Sequence, residues 1–245
     1  MSAARRLLAS TITRGRYRGG DGKDGFRGCI ALDETFLPLL VNPAAAHRDR
    51  RAQPQHPPAV GPPDRPALRH PAHHPHPKRG GRHRDMYGVT DDLSPAHTPR
   101  MAIKVAHYLT DLTPDCGLTM FLPGSHHATQ PPTIDAGAID PPGAITPDLG
   151  PCNVVLFENR TFHASGVNTS GQPRIAFMLQ YGYPGLQPVD DPAPHLLHRA
   201  DLDPITRQLL GAPDRNPDGS LAKGAGAAPL RRWWATTTAA SAAPA

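Results

Sequence analysis

Alternation of apolar and polar positions is concentrated in the second half of the chain. In "MAIKVAHYLTDL" (101–112), Ile103, Val105, His107 and Leu109 alternate with Lys104, Ala106, Tyr108 and Thr110, the period of two of a β-strand. "GLTMFLPGSHH" predicts a short strand halted by Pro123-Gly124. "CNVVLFEN" and "RIAFMLQYGY" predict two more, separated by a turn at "VNTSGQP". Residues 129–151 read as a long loop of Pro, Gly, Asp and Ala, and Asp203–Leu210 reads as a helix. Further upstream, residues 25–42 hold enough apolar residues for a short helix with Asp33 as its N-cap. Several short strands with Gly/Pro connections predict a mainly-β sandwich or small barrel. No internal repeat is present.

Between Pro43 and Arg82 the texture is different. Val60 and Leu68 are the only large aliphatic residues there, and Pro, Arg, His and Ala dominate. The tract shows no period and offers too little apolar surface to offset its ordering entropy, so it is expected to lack structure. It also explains the charge. Its eight basic and two acidic residues exceed the whole chain's net charge of +5, which leaves the remainder close to neutral. Basicity is therefore a property of the tract and not of the domain, and charge alone supports a third reading, nucleic-acid binding through 43–82, without interleaved aromatics for base stacking.

Cys29, Cys116 and Cys152 are widely spaced with no CxxC pair, which fits a reducing, cytoplasmic setting better than a disulfide scaffold. No apolar run approaches the roughly 20 residues of a membrane span. The Arg-rich, acid-free start has no apolar signal core and is expected to be ragged or partly ordered.

The candidate chemistry starts at the end of the tract. His83 and Asp85 are two apart, so on an extended segment they share one face. His163 follows the "CNVVLFEN" strand, and Arg174 opens the strand beyond the next turn. Two imidazoles and one carboxylate form the facial triad of non-haem Fe(II) oxygenases. An arginine's planar fork can hold the far carboxylate of a dicarboxylic acid through two parallel hydrogen bonds.

The ordered set His-x-Asp, distant His, then Arg eleven positions later resembles the Fe(II)/2-oxoglutarate-dependent dioxygenases. "HRDMYG", "CGLTMFLPGSHH" and "CNVVLFENRTFHASGVNTSGQPRIAF" narrow it to a resemblance to the phytanoyl-CoA dioxygenase (PhyH) family, over about residues 83–186. The resemblance implies a double-stranded β-helix, a cupin-like jelly roll with a few peripheral helices. It implies that His83, Asp85 and His163 bind Fe(II) and that Arg174 binds 2-oxoglutarate, with O2 as the other co-substrate. The oxo acid would be decarboxylated to succinate and CO2 while a C–H bond of a small-molecule substrate is hydroxylated. Asp85 favours hydroxylation over halogenation, because the related halogenases lack that carboxylate. No nucleic acid or membrane partner is implied.

Other polar residues have plainer readings. Ser165 and Asn168 are expected to pin the turn, and Lys104 and Tyr108 to be structural or pocket-lining. His126 and His127 are expected to be exposed or structural, and His70, His73, His74 and His76 to bind metal loosely at most. The chain also departs from the family. Where relatives carry core strands before the His-x-Asp, this chain carries the tract, and Arg82 stands where an aromatic is common. The tract is either a natural insertion or the product of a frameshift in a GC-rich gene. The codons of "AQPQHP" read one base later permit Leu-Ser-Pro-Asn-Ile-His. An alternative reading follows, a catalytically inactive β-sandwich remnant or binding module whose barrel is left incomplete. The expected organisation is an N-terminal segment (1–42), the tract (43–82), the jelly-roll core (83–190) and a C-terminal helix with a disordered tail (191–245).

Overall fold

The computed structural model describes residues 23–24, 28–41, 59–61, 68–69, 83–85, 93, 99–150, 154–182, 186, 194–212, 215–222, 229–230 and 232–233. In chain order the elements are β1 (Lys23–Asp24), α1 (Cys29–Leu32), a 3-10 turn (Glu34–Phe36), α2 (Leu37–Leu40), β2 (Ala59–Gly61), β3 (Leu68–Arg69) and β4 (Ala102–Tyr108). There follow β5 (Thr119–Phe121), a second 3-10 turn (Ser125–His127), β6 (Val154–Glu158), β7 (His163–Ser165), β8 (Ala176–Gly182), α3 (Pro194–Leu197) and α4 (Pro204–Leu209). They divide into two compact units, one drawn from residues 1–27 and 64–178 and the other from 28–63 and 179–245.

In the first unit β4 lies between β6 and β8. The β4–β6 ladder is antiparallel and sets Lys104 opposite Phe157 and Ala106 opposite Val155. A second, two-stranded sheet pairs β5 with β7 and sets Phe121 opposite His163. Ala106, Tyr108, Phe121, Phe157 and Ala176 form the buried core, with Leu112, Leu149, Val155 and Met178 packed against them. The alternation predicted for 101–112 is therefore real, but both faces of β4 are buried. The face that carries Lys104, Ala106 and Tyr108 turns to this core, and Val105 and His107 on the other face are buried as well.

β7 was not anticipated: three residues carry no usable period, and its pairing with β5 makes it a strand. Gly117 allows the two segments to meet. It has φ +75°, and a Cβ there would stand 2.8 Å from Asn168 N and from Gly166 O. Only glycine tolerates both conditions.

In the second unit, the single helix expected over 25–42 is broken into α1, the first 3-10 turn and α2. Asp33 is the reason. It is extended (φ −154°), and its side chain accepts from Thr35 N at 2.9 Å, so it caps a new turn and interrupts the old one. α4 is as expected, with Asp203 accepting from Ile205 N and Thr206 N and Pro204 at the start.

Within 43–82 the described residues are those of β2 and β3. β2 pairs with the end of β8, Val60 opposite Tyr181, and β3 pairs with β1. A strand ladder uses backbone groups that every residue but proline brings, so it needs no apolar period. The rest of the tract lies outside the described residues. In the described part of the tail, Asn216 N donates to Ser220 O, and Leu230 N to Gln208 Oε1, both at 2.9 Å. No helix among the described residues is long and apolar enough to cross a membrane.

Candidate metal centre

Strand pairing brings together three donors that the sequence spreads over eighty positions. His83 forms an isolated antiparallel bridge with His163 through two reciprocal backbone hydrogen bonds of 3.2 Å. Residues directly opposed in a ladder project to the same face, and the two imidazole rings lie 4.4 Å apart. Two residues on, Asp85 N donates to Asn159 O at 2.8 Å. The Asp85 carboxylate turns back, so that Oδ1 lies 3.5 Å from His83 Nε2. One ligand atom from each of His83, Asp85 and His163 falls within 4.8 Å of the others. Donors on adjacent vertices of an octahedral ion stand about 3 Å apart at bond lengths near 2.1 Å.

The protonation states suit ligation. Burial pushes His163 down to about 4, so its ring is neutral near pH 7. His163 Nδ1 meets Thr161 O at 2.9 Å. A carbonyl can only accept, so Nδ1 carries the hydrogen and Nε2 keeps its lone pair for a metal. Burial would raise the Asp85 pKa, but the bond with His83 and the charge of Lys104 outweigh it and hold the carboxyl at about 2. A neutral imidazole and an ionised carboxylate are the forms a metal requires. Phe157 packs 4.9 Å from the His163 ring and dries that side. His83 is half exposed and leaves the other side open.

Arg174 is placed for a second ligand. It is buried at 3 % exposure. Its Nη1 donates to Thr119 Oγ1 at 3.1 Å, and the same oxygen accepts from Tyr108 OH at 3.0 Å. The Nε has no hydrogen-bond partner among the described residues. A buried guanidinium edge without a protein partner fits a carboxylate bound there.

Asn159 and Lys104 matter more than their sequence context suggested. Asn159 is fully buried and joins three segments. Its backbone N and side-chain Oδ1 pair with Ala102, and its carbonyl receives Asp85 N. A polar residue closing the apolar run "VVLFEN" was the available signal. Lys104, expected to be structural or pocket-lining, places Nζ 2.9 Å from Asp85 Oδ2. Asn168 pins the turn as expected, accepting from Ser170 N and donating to Gln172 O. His126 and His127 sit in the second 3-10 turn, outside the donor cluster. His70, His73, His74 and His76 lie outside the described residues.

Residues 59–176 match the sequence pattern of the family "Phytanoyl-CoA dioxygenase (PhyH)". The match spans just under half of the chain and agrees with the resemblance its motifs carry. A comparison with curated proteins finds no match. Among solved structures, the epimerase SnoN of nogalamycin biosynthesis, in complex with Fe3+, alpha ketoglutarate and nogalamycin RO, is 19% identical. The match covers 89% of this chain and 87% of SnoN, with a TM-score of 0.52. The alpha-ketoglutarate-dependent carbocyclase SnoK of the same pathway is 17% identical over 91% of this chain and 84% of its own, with a TM-score of 0.54. EctD from S. alaskensis, with 2-oxoglutarate and 5-hydroxyectoine, is 16% identical over 74% and 67%, with a TM-score of 0.50. At these identities the likeness is one of fold. The matched region is thus a cupin-like jelly roll, as its motifs implied.

Proposed function

We propose that this chain is a PhyH-like, Fe(II)- and 2-oxoglutarate-dependent oxygenase that hydroxylates a C–H bond of a small molecule. In this reading His83, Asp85 and His163 hold the iron, and Arg174 holds the distant carboxylate of the oxo acid. One observation carries it: donors at positions 83, 85 and 163 converge within 4.8 Å, inside the region that matches the family. When bound, iron couples O2 activation to decarboxylation of 2-oxoglutarate to succinate and CO2. The chain's own residues do the rest. Thr161 fixes the His163 tautomer, Lys104 and His83 keep Asp85 ionised, and Thr119 orients Arg174. Asp85 in the donor set supports hydroxylation over halogenation, for which the carboxylate position is vacated. SnoN, SnoK and EctD are named with small organic molecules or their biosynthesis, which supports a small-molecule substrate here. The buried thiol of Cys116 supports a reducing, cytoplasmic setting.

The test is anaerobic addition of Fe(II) and 2-oxoglutarate. The expected result is the visible charge-transfer band of the chelate, abolished in His163→Ala, with succinate formed once air is admitted. A band that survives unchanged in His163→Ala removes His163 from the ligand set. A band without succinate returns the chain to an inactive binding module.

A further inference from the structure

Arg84 lies between two of the metal-binding residues, and nothing in the sequence gave it a role. Successive residues of an extended segment point to opposite sides. Arg84 accordingly turns away from the donor cluster and is buried at 7 % exposure. Its Nη2 donates to two carbonyls, Ser125 O and, at 2.7 Å, Ala128 O. Its guanidinium carbon lies 4.2 Å from the centre of the Phe162 ring. The contacts form a closed circuit. Ser125 Oγ accepts from Phe162 N at 2.8 Å, and Leu122 N donates to Phe162 O at 2.9 Å. Phe162 immediately precedes His163.

We propose that Arg84 is a positioning residue that clamps the His83–Asp85 segment, the Ser125–Ala128 turn and the Phe162–His163 segment into one rigid unit and so sets the metal geometry. The need for a clamp follows from the ladder. His83 and His163 share a single isolated bridge, which fixes their separation but resists shear weakly. Both carbonyl bonds come from one nitrogen, so what sets the guanidinium apart is its flat face against the Phe162 ring. A lysine ammonium supplies charge and donors without that flat face. Loss of residues that support a ligand set typically weakens metal affinity 10–100-fold.

The inference rests on the metal reading of His83, Asp85 and His163. Its test is titration of the full chain with Co(II), followed by the metal's visible ligand-field bands and by the melting temperature of the metal-free protein. Arg84→Lys is expected to bind Co(II) about tenfold more weakly and Arg84→Gln about 100-fold, both with altered band intensities. Leu209→Val, a core change on α4 in the other unit, serves as a control for general destabilisation. It is expected to melt earlier and keep wild-type affinity and bands. Arg84→Lys with wild-type affinity and bands overturns the proposal, as does an equal loss in Leu209→Val. A wild-type chain that binds no Co(II) overturns the metal reading itself, and this inference with it.

Discussion

Lys104 Nζ stands 2.9 Å from Asp85 Oδ2, and both groups are largely withdrawn from solvent. The cation thus holds one oxygen of the Asp85 carboxylate, while Oδ1 faces His83. Lys104→Met leaves the carboxylate short of a charge partner, at a cost of about 3 kcal/mol in the metal-free protein. A bound metal supplies the missing charge. Divalent metal is therefore expected to raise the melting temperature of Lys104→Met by more than it raises that of wild type. Equal shifts in the two proteins would show that Lys104 does not support Asp85.

Arg174→Lys keeps the charge but loses the guanidinium edge that lies beside Thr119. Affinity for 2-oxoglutarate is expected to fall tenfold or more, about 1.4 kcal/mol for each factor of ten. Co(II) affinity should stay at the wild-type value. Calorimetric titration of each ligand separates the two effects.

His107 gives the fold a pH dependence. It is buried beside Phe177, its Nε2 has no hydrogen-bond partner among the described residues, and burial lowers its pKa to about 4. In the unfolded chain an imidazole titrates near 6.5. Between those values the unfolded state holds a proton that the folded state excludes. The His107 contribution is thus complete above about pH 6.5, declines as pH falls toward 4, and changes no further below it. It amounts to about 3 kcal/mol. His163 shifts in the same direction. The difference between wild type and His107→Leu in denaturant unfolding from pH 7 to 4 isolates His107, and the variant should lose less stability over that range.

Gly117→Ala should destabilise the first unit by about 2–3 kcal/mol. The new methyl group would meet backbone atoms of Gly166, Val167 and Asn168 at 2.8–2.9 Å, and none of them can rotate away. Urea unfolding measures the loss. A change below about 0.5 kcal/mol would mean that the 117 and 166–168 segments separate easily.

The order of residues along the chain determined most of the chemistry. An His-x-Asp, a distant His and an Arg are side-chain types at set positions, and His83, Asp85, His163 and Arg174 could be named before any contact was known. The strands at 102–108, 154–158 and 176–182 were legible because each runs long enough for apolar and polar positions to form a pattern. Asp203 as a helix cap was legible for a local reason, since its partners are two and three residues away. The other features depend on contacts between segments distant in the chain. β7 is three residues long and is a strand only because Thr119–Phe121 lies beside it. β2 and β3 arise in a tract without any pattern, through backbone groups whose pairing leaves no trace in side-chain identity. Lys104 reads as the polar half of an alternation until β4 is set beside Asp85. Arg84 and Asn159 join segments forty to sixty positions apart. A side chain's type states what it can bond, but only the folded chain decides which partner comes within reach.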